Sequence, residues 1–150
     1  YYATYFTVRA DDFEISIARM TPNEIRQALK ELHALPSLTA KDKAKIVMLE
    51  MVLEMKMRKI EFCNIDIYAS EALNFTVTED NLIRPPLNAV PGLGETAAES
   101  IVSAREQEPF NSQDDLLQRT KLSSTLMQAL ADCGCLKDLP KSQQITLFDL

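Results

Sequence analysis

A pair of glycines directly before a predicted helix is the feature of this sequence with the clearest chemistry. Gly92 and Gly94 flank Leu93, and a helical pattern begins at Glu95. Glycine permits positive φ and lets a ligand approach the backbone closely. The first amides of a helix lack intrahelical acceptors and lie at the positive end of its dipole. This arrangement predicts a binding site for an anion such as a phosphate, and such a site needs no local surplus of lysine or arginine.

The same glycines have plainer interpretations. A tight turn between two helices also needs glycine, and two glycines alone do not separate the turn from the anion site. A dinucleotide-binding loop is disfavoured, because Ala97 stands where a third glycine is required and no clear strand leads into the motif. Binding of a DNA phosphate at such a site would be independent of base sequence.

The charge of the chain argues against nucleic-acid binding by a general basic face. Sixteen basic and 22 acidic residues leave a net charge of −6. Residues 1–60 hold ten basic and eight acidic residues, residues 61–85 hold one and five, and residues 86–139 hold four and eight. A DNA contact in the second half must therefore depend on the backbone more than on lysine and arginine.

Metal and thiol chemistry has little support. An odd number of cysteines without a spacing framework, Cys63, Cys133 and Cys135, predicts reduced thiols in a cytoplasmic protein. We interpret the cysteines and the one histidine, His33, as packing residues. Neighbouring carboxylates at 11–12 and 114–115 diverge along a helix or strand, so we expect caps or solvated faces there and no catalytic residues.

The tail, residues 140–150, has no partner element in the sequence. It contains Gln144-Ile145-Thr146-Leu147-Phe148. An exposed Leu-Phe pair on a polar tail predicts a pocket on a partner, and Gln144 can fix the register through hydrogen bonds. A frayed end, or a tail folded back on its own domain, is the alternative.

The elements around these motifs are mainly helical. Residues 1–20 read as helix with a break at 9–12, Thr21 starts a helix with a capping box, and Ser37 or Thr39 starts another that runs to about residue 59. Alternating patterns at 65–68 and 75–78, followed by 82–83, predict a small antiparallel sheet. The remaining helices are predicted at 95–107, after Ser112, and after Ser123 or Ser124 with Gly134 as the stop.

The string from Val90 to Gly94, followed by Thr96-Ala97-Ala98, resembles a helix-hairpin-helix motif. Further motifs extend the resemblance to nearly the whole chain and make it similar to the C-terminal region of DNA polymerase III alpha subunits of the PolC type found in Gram-positive bacteria. These motifs are Tyr1–Ala10, Cys63–Tyr68, Leu82–Ala89, Ala104–Glu106, Pro109-Phe110, Asp114–Leu116 and Gly134–Leu136.

This resemblance implies site residues. The amides of Gly92, Gly94, Thr96 and Ala97 would face a DNA phosphate. The carbonyls of Asn88, Val90 and Leu93 would hold a monovalent cation such as potassium. A second unit at 113–133 would complete a tandem module of four helices. Its turn, Thr120–Ser123, lacks glycine, so Lys121 would contact phosphate as a point charge or remain solvated.

The resemblance also implies an organisation. Residues 1–60 would end a fingers domain, 61–139 would bind duplex DNA, and 140–150 would bind the sliding clamp. The fold class is α+β, mainly α. The parent enzyme would be a DNA-directed DNA polymerase that uses two Mg²⁺ ions held elsewhere, so this chain would need no cofactor beyond a potassium ion and would be inactive alone.

Two rival functions remain open at this point. One is an interaction module in which the hairpin is only a turn and the tail does all the binding. The other is a DNA-repair nuclease or glycosylase with the same motif, which is disfavoured because no Lys or Asp nucleophile sits in the expected place just after the hairpin helix and the sequence offers no metal cluster. The chain lacks an initiator Met, so we expect a piece of a longer protein. No apolar run approaches the ~18 residues of a transmembrane helix, so we expect no membrane-spanning segment.

Overall fold

The computed structural model describes residues 1–142. The tail motif at 144–148 lies outside the described residues. The helices and strands are α1 (Tyr2–Val8), α2 (Ile15–Ala18), α3 (Pro22–His33), α4 (Ala40–Met57), β1 (Thr76–Val77), β2 (Ile83–Arg84), α5 (Glu95–Gln107), α6 (Gln113–Arg119) and α7 (Ser124–Asp132), with 3₁₀ turns at Ala10–Asp12 and Leu87–Ala89. The predicted class, mainly helical with a small antiparallel sheet, is confirmed.

The starts of the helices follow the capping chemistry of the sequence. Thr21 and Glu24 exchange hydrogen bonds with each other's backbone amides at 3.2 Å in both directions, which forms the predicted capping box. Thr39, and not Ser37, begins α4 and forms a second box with Asp42. Hydrogen bonds from Thr39 hold the pKa of the Asp42 carboxyl below its usual range. Ser112 and Ser123 cap α6 and α7.

The chain divides into two compact units. The first contains residues Tyr1–Cys63 and Asn74–Pro85, and the second contains Asn64–Leu73 and the chain from Pro86 onward. The sequence prediction placed the sheet with the hairpin region, whereas the packing places both strands in the first unit. The functional boundaries at residues 60 and 139 remain predictions.

The first unit is built around an aromatic cluster. The ring of Phe6 lies 5.8 Å from Phe13, 5.2 Å from Phe62 and 5.5 Å from Phe75, measured between centroids. Such pairs contribute beyond their buried area. Lys56 is buried beside this core, and its ammonium donates to the Ala18 carbonyl and the Glu61 carboxylate. Both acceptors compensate the burial of the charge.

The strand predicted at 65–68 is wrong. The Asp66 carboxylate accepts hydrogen bonds from the amides of Tyr68 and Ala69 at 2.7 and 2.9 Å, and the Asp66 amide donates to Ser70 Oγ at 2.8 Å. This local bonding closes a turn that competes with a strand ladder. The alternation of Ile65 and Ile67 instead places two apolar side chains in the core of the second unit.

The predicted packing role of His33 is also wrong, because its side chain is exposed at the end of α3. Cys133 and Cys135 are buried and Cys63 is half-buried, as packing residues are. None of the helices within residues 1–142 has the length and apolar character needed to cross a bilayer.

Candidate nucleic-acid interface

The second unit holds two similar hairpins, each with a buried leucine at its tip. Leu93 lies in the first turn and Leu122 in the second, and both side chains are buried. Each leucine is followed by the N-cap of a helix, Gly94 for α5 and Ser123 for α7. The tandem arrangement expected from the sequence is therefore present, although the first of its four helices is only the 3₁₀ turn Leu87–Ala89.

The first hairpin is anchored through its leading turn. The amides of Leu87 and Asn88 donate to the carbonyls of Glu71 and Ala72 at 2.8 and 3.1 Å. The Leu93 amide donates to the Val90 carbonyl at 3.0 Å, which closes the turn. Leu87 is fully buried beneath these bonds. The segment before α5 is therefore held ahead of the glycine pair and by the turn bond at Leu93, between the two glycines.

Only one of the two glycines needs to be glycine for conformational reasons. Gly92 has φ +82, in the left-handed region, whereas Gly94 has φ −79. A Cβ added at Gly92 would lie 3.6 Å from Leu126 Cδ2, which is ordinary contact, and a Cβ added at Gly94 would meet nothing within 4 Å. The space over Gly94 is therefore open to a ligand.

Replacing Gly92 with alanine should lower the free energy of unfolding by about 1 kcal/mol, because alanine at positive φ is strained. Gly94→Ala is the matched control. Its φ is ordinary and its surroundings are empty, so we expect a change within about 0.5 kcal/mol, the weaker N-cap preference of alanine being offset by the entropy that alanine removes from the unfolded chain. Urea unfolding of both variants measures the difference. Equal urea midpoints for the two variants would contradict the claim that alanine is strained at position 92.

The start of α5 leaves backbone donors unused. The hairpin amides, those of Gly92, Gly94, Thr96 and Ala97, donate to no protein acceptor within residues 1–142. The first helical bond of α5 runs from the Ala98 amide to the Gly94 carbonyl at 3.0 Å. Because Gly94 has no side chain, α5 receives no side-chain cap. These donors, at the positive end of a 13-residue helix, suit an anion.

The second hairpin differs at the corresponding position. Ser123 Oγ accepts the Leu126 amide at 3.2 Å and thereby occupies a donor that is unused in the first hairpin. No residue of the turn Thr120–Ser123 takes positive φ. Because of this serine cap, the second hairpin has one fewer unused amide for a phosphate than the first hairpin.

Thr96 and Lys121 lie along one groove. The groove has a volume of about 460 Å³ and is lined by both residues and by Glu99 and Gln118, among others. The Lys121 amide donates to Ser100 Oγ at 3.1 Å, and Ser100 Oγ donates to the Ala97 carbonyl at 2.7 Å. The two hairpins are thus connected through Ser100, a link that no sequence signal indicated.

Arg119 joins the two hairpins at their other end. Its guanidinium donates to the carbonyls of Ala104, Glu108 and Pro109, at 2.7, 2.8 and 3.1 Å, and pairs with Asp115 at 3.1 Å. It also lies 4.8 Å from the centre of the Phe110 ring. The Asn111 amide and Arg119 hold the pKa of the Asp115 carboxyl below its usual range.

The neighbouring carboxylate pairs have separate roles. Asp115 is engaged with Asn111 and Arg119, whereas Asp114 is exposed. Asp11 and Asp12 are exposed in a 3₁₀ turn. Within residues 1–142, no three histidine, cysteine or acidic side chains are grouped as a metal site would require.

Comparison with known proteins agrees with this geometry. The model of a family described as helix-hairpin-helix motif matches residues 59–145. Three DNA polymerases III of PolC type are similar over 99% of the chain: those of Bacillus cereus at 47% identity, Caldanaerobacter subterraneus subsp. tengcongensis at 45% and Bacillus subtilis at 42%. The chain spans only about a tenth of the length of these relatives, 10 to 11%.

These matches confirm the resemblance that the sequence motifs indicated. The family match covers the described hairpins, and the relatives align from one end of this chain to the other. The chain belongs to the helix-hairpin-helix family and is, over nearly its whole length, homologous to one segment of PolC-type DNA polymerase III.

Proposed function

We propose that this chain binds the backbone of duplex DNA without sequence preference, through the hairpin amides at the start of α5. The observation that supports this proposal is the N-cap at Gly94, which has no side chain: within residues 1–142 the amides of Thr96 and Ala97 have no protein acceptor, and the space over Gly94 is open. Amides at a helix start bind a phosphate but read no base, so the grip would be independent of sequence.

The side chains near these amides are acidic, so a bound phosphate needs additional positive charge close by. Glu95 is exposed in the first turn of α5, and Glu99 lines the groove beside Thr96. Both carboxylates repel a phosphate. Lys121, exposed on the same groove, would offset them as a point charge.

A monovalent cation, potassium by family resemblance, would add to this compensation. Its ligands would be the carbonyls of Asn88, Val90 and Leu93. Carbonyl oxygens are suitable potassium ligands. The Val90 carbonyl already accepts the Leu93 amide at 3.0 Å, which leaves it a second lone pair for the ion.

Gly94→Val should weaken duplex binding by about tenfold, because its branched side chain covers amides that contact phosphate. Gly94→Ser is the sharper variant. By analogy with Ser123, its hydroxyl should accept the Ala97 amide, raise the free energy of unfolding by about 0.5 kcal/mol and still weaken binding. Fluorescence anisotropy with a labelled duplex and urea unfolding measure the two effects.

Ser123→Val is the matched control, at the equivalent position of the second hairpin. It removes a cap bond and should lower stability by about 1 kcal/mol while leaving duplex affinity nearly unchanged. Unchanged affinity in both Gly94 variants, with their folds intact, would exclude the hairpin amides as the DNA contact.

Replacing potassium chloride with tetramethylammonium chloride at equal ionic strength should weaken wild-type binding. Equal affinity in both salts would exclude the cation.

The second part of the proposal concerns the whole enzyme. We propose that the parent chain is a DNA-directed DNA polymerase of the cytoplasm, whose two Mg²⁺ ions are held outside this segment. The segment would grip duplex DNA, and its tail, Gln144–Phe148, would tether the enzyme to the sliding clamp. Nucleotide addition by the purified 150-residue chain would contradict the assignment of catalysis to other parts of the parent.

A further inference from the structure

Residues 30–45 are basic in an otherwise acidic chain. They contain four lysines and two acidic residues, a net charge of +2, so with −6 for the whole chain the other residues carry −8. The structure places these lysines at one end of the helical pair α3–α4, on either side of the connection 34–39. We name this surface the basic tip, and it consists of Lys30, Lys41, Lys43 and Lys45.

The lysines of the basic tip are available to a partner. All four side chains are exposed, and none forms an ion pair with a carboxylate in the described part of the chain. The two acidic residues of the stretch form hydrogen bonds to other groups, although Asp42 also interacts electrostatically with Lys41 and Lys45. Glu31 accepts from the side-chain amide of Gln27 at 3.2 Å, and Asp42 accepts from the Thr39 amide at 3.0 Å. Their charges reduce the positive potential of the basic tip but do not cancel it.

Helix stability does not explain these lysines. Lys41 and Lys43 lie in the first turn and a half of α4, where the positive end of the helix dipole disfavours cations. Only Lys30, near the C-terminal end of α3, has the sign that a helix prefers there. Clustered, unpaired cations at a position that local structure disfavours point to an anionic ligand outside the chain.

We infer that the basic tip binds the sugar-phosphate backbone of duplex DNA, as a second contact separate from the hairpin amides. Lysine ammonium groups bind phosphate as point charges and carry no base specificity. Single-strand surfaces pair their cations with aromatic side chains for base stacking, and residues 30–45 contain no Phe, Tyr or Trp. Lys41 and Lys45, one helical turn apart, share a face and can meet one strand of a duplex.

The test is the double variant Lys41→Gln, Lys45→Gln of the full chain. Each lost phosphate contact lowers duplex affinity by about 8-fold at 0.1 M salt and reduces the slope of log K against log salt by about 0.9. We therefore expect a loss of more than tenfold and a slope smaller by nearly 2. Arg9→Gln, Lys59→Gln is the matched control, because both residues are exposed in the same unit and the net charge changes equally.

The outcomes separate this inference from the proposed function. When Lys41→Gln and Lys45→Gln are added to the Gly94→Ser protein, they should weaken its remaining duplex binding by the same factor as in the wild type. Equal effects of the lysine variant and its control would overturn the inference, as would an absence of duplex binding by the wild type. A loss of binding to polyglutamate without a loss of duplex binding would identify an acidic peptide as the partner and would also overturn it.

Discussion

A chain carrying Leu147→Ala and Phe148→Ala should lose binding to a bacterial sliding clamp. Two apolar anchors that enter a pocket contribute about 2 kcal/mol each, so the loss should exceed about 100-fold. The prediction rests on the sequence of the tail, Gln144–Phe148, which lies outside the described residues, and on the clamp-binding role that the resemblance to PolC implies for residues 140–150.

Surface plasmon resonance with immobilised clamp measures this loss. Gln143→Ala, Leu150→Ala is a matched control, since it changes two tail residues that flank the pentapeptide, one of them apolar. Comparable losses in both double variants would show that the Leu-Phe pair is not the anchor. A wild-type chain that fails to bind at high concentration would remove the tail assignment altogether and leave the hairpin and the homology to PolC as the arguments for a replicative role.

Arg119→Met should lower the free energy of unfolding of the second unit by about 3 kcal/mol, because it removes one hydrogen bond from each of three carbonyls and from the Asp115 carboxylate. The Arg119 side chain is only 19% exposed, and its bonds to Ala104 and Asp115 are partly buried, so water replaces those two bonds poorly. Methionine keeps much of the aliphatic contact, which assigns the loss to the hydrogen bonds and the charge.

Hydrogen exchange of amides in α5, α6 and α7 locates this effect in the second unit, and urea unfolding gives its size. Arg119→Lys should be nearly as destabilising, since one ammonium cannot reproduce the planar set of donors. Gln118→Met is the control: its side chain is exposed, and we expect a change within about 0.5 kcal/mol. If Arg119→Met behaves like Gln118→Met, the bonds of Arg119 contribute nothing to stability.

The two links between the hairpins determine how the groove is built. Ser100 connects the turn at Lys121 to the first half of α5, and Arg119 holds the C-terminal end of α5 against α6. Thr96 and Lys121 face the same groove because both ends of α5 are fixed in this way. A variant that loosens Arg119 should therefore also weaken any phosphate contact that needs Thr96 and Lys121 together.

Helix starts were predictable because capping is a local interaction between residues three positions apart. Thr21 with Glu24, Ser112 and Ser123 each bond within their own turn, so short-range chemistry determines where these helices begin. Gly134, with φ +78, accompanies the end of α7 through bonds from Gly134 to Ala131 and from Cys135 to Leu130.

The predicted strand at 65–68 failed because alternation alone does not distinguish a strand from a turn that buries two isoleucines. The Asp66 carboxylate decided the outcome by binding two amides ahead of it. The prediction that His33 is a packing residue is also wrong. Composition indicates that a lone histidine packs, but its position at the end of α3 leaves it exposed.

By itself, the sequence determined the helix caps, the glycine hairpin before α5 and the family, because each depends on residue types at short, fixed spacing. Tertiary structure alone decided which glycine takes positive φ, which helix start keeps its amides unused and which residues join the hairpins. Gly92 and Gly94 look alike in sequence, yet only Gly92 takes positive φ and only Gly94 caps a helix. The bonds that join the hairpins, from Arg119 to the end of α5 and from the Lys121 amide to Ser100, span 10 to 21 residues, and no local pattern encodes such contacts before the chain has folded.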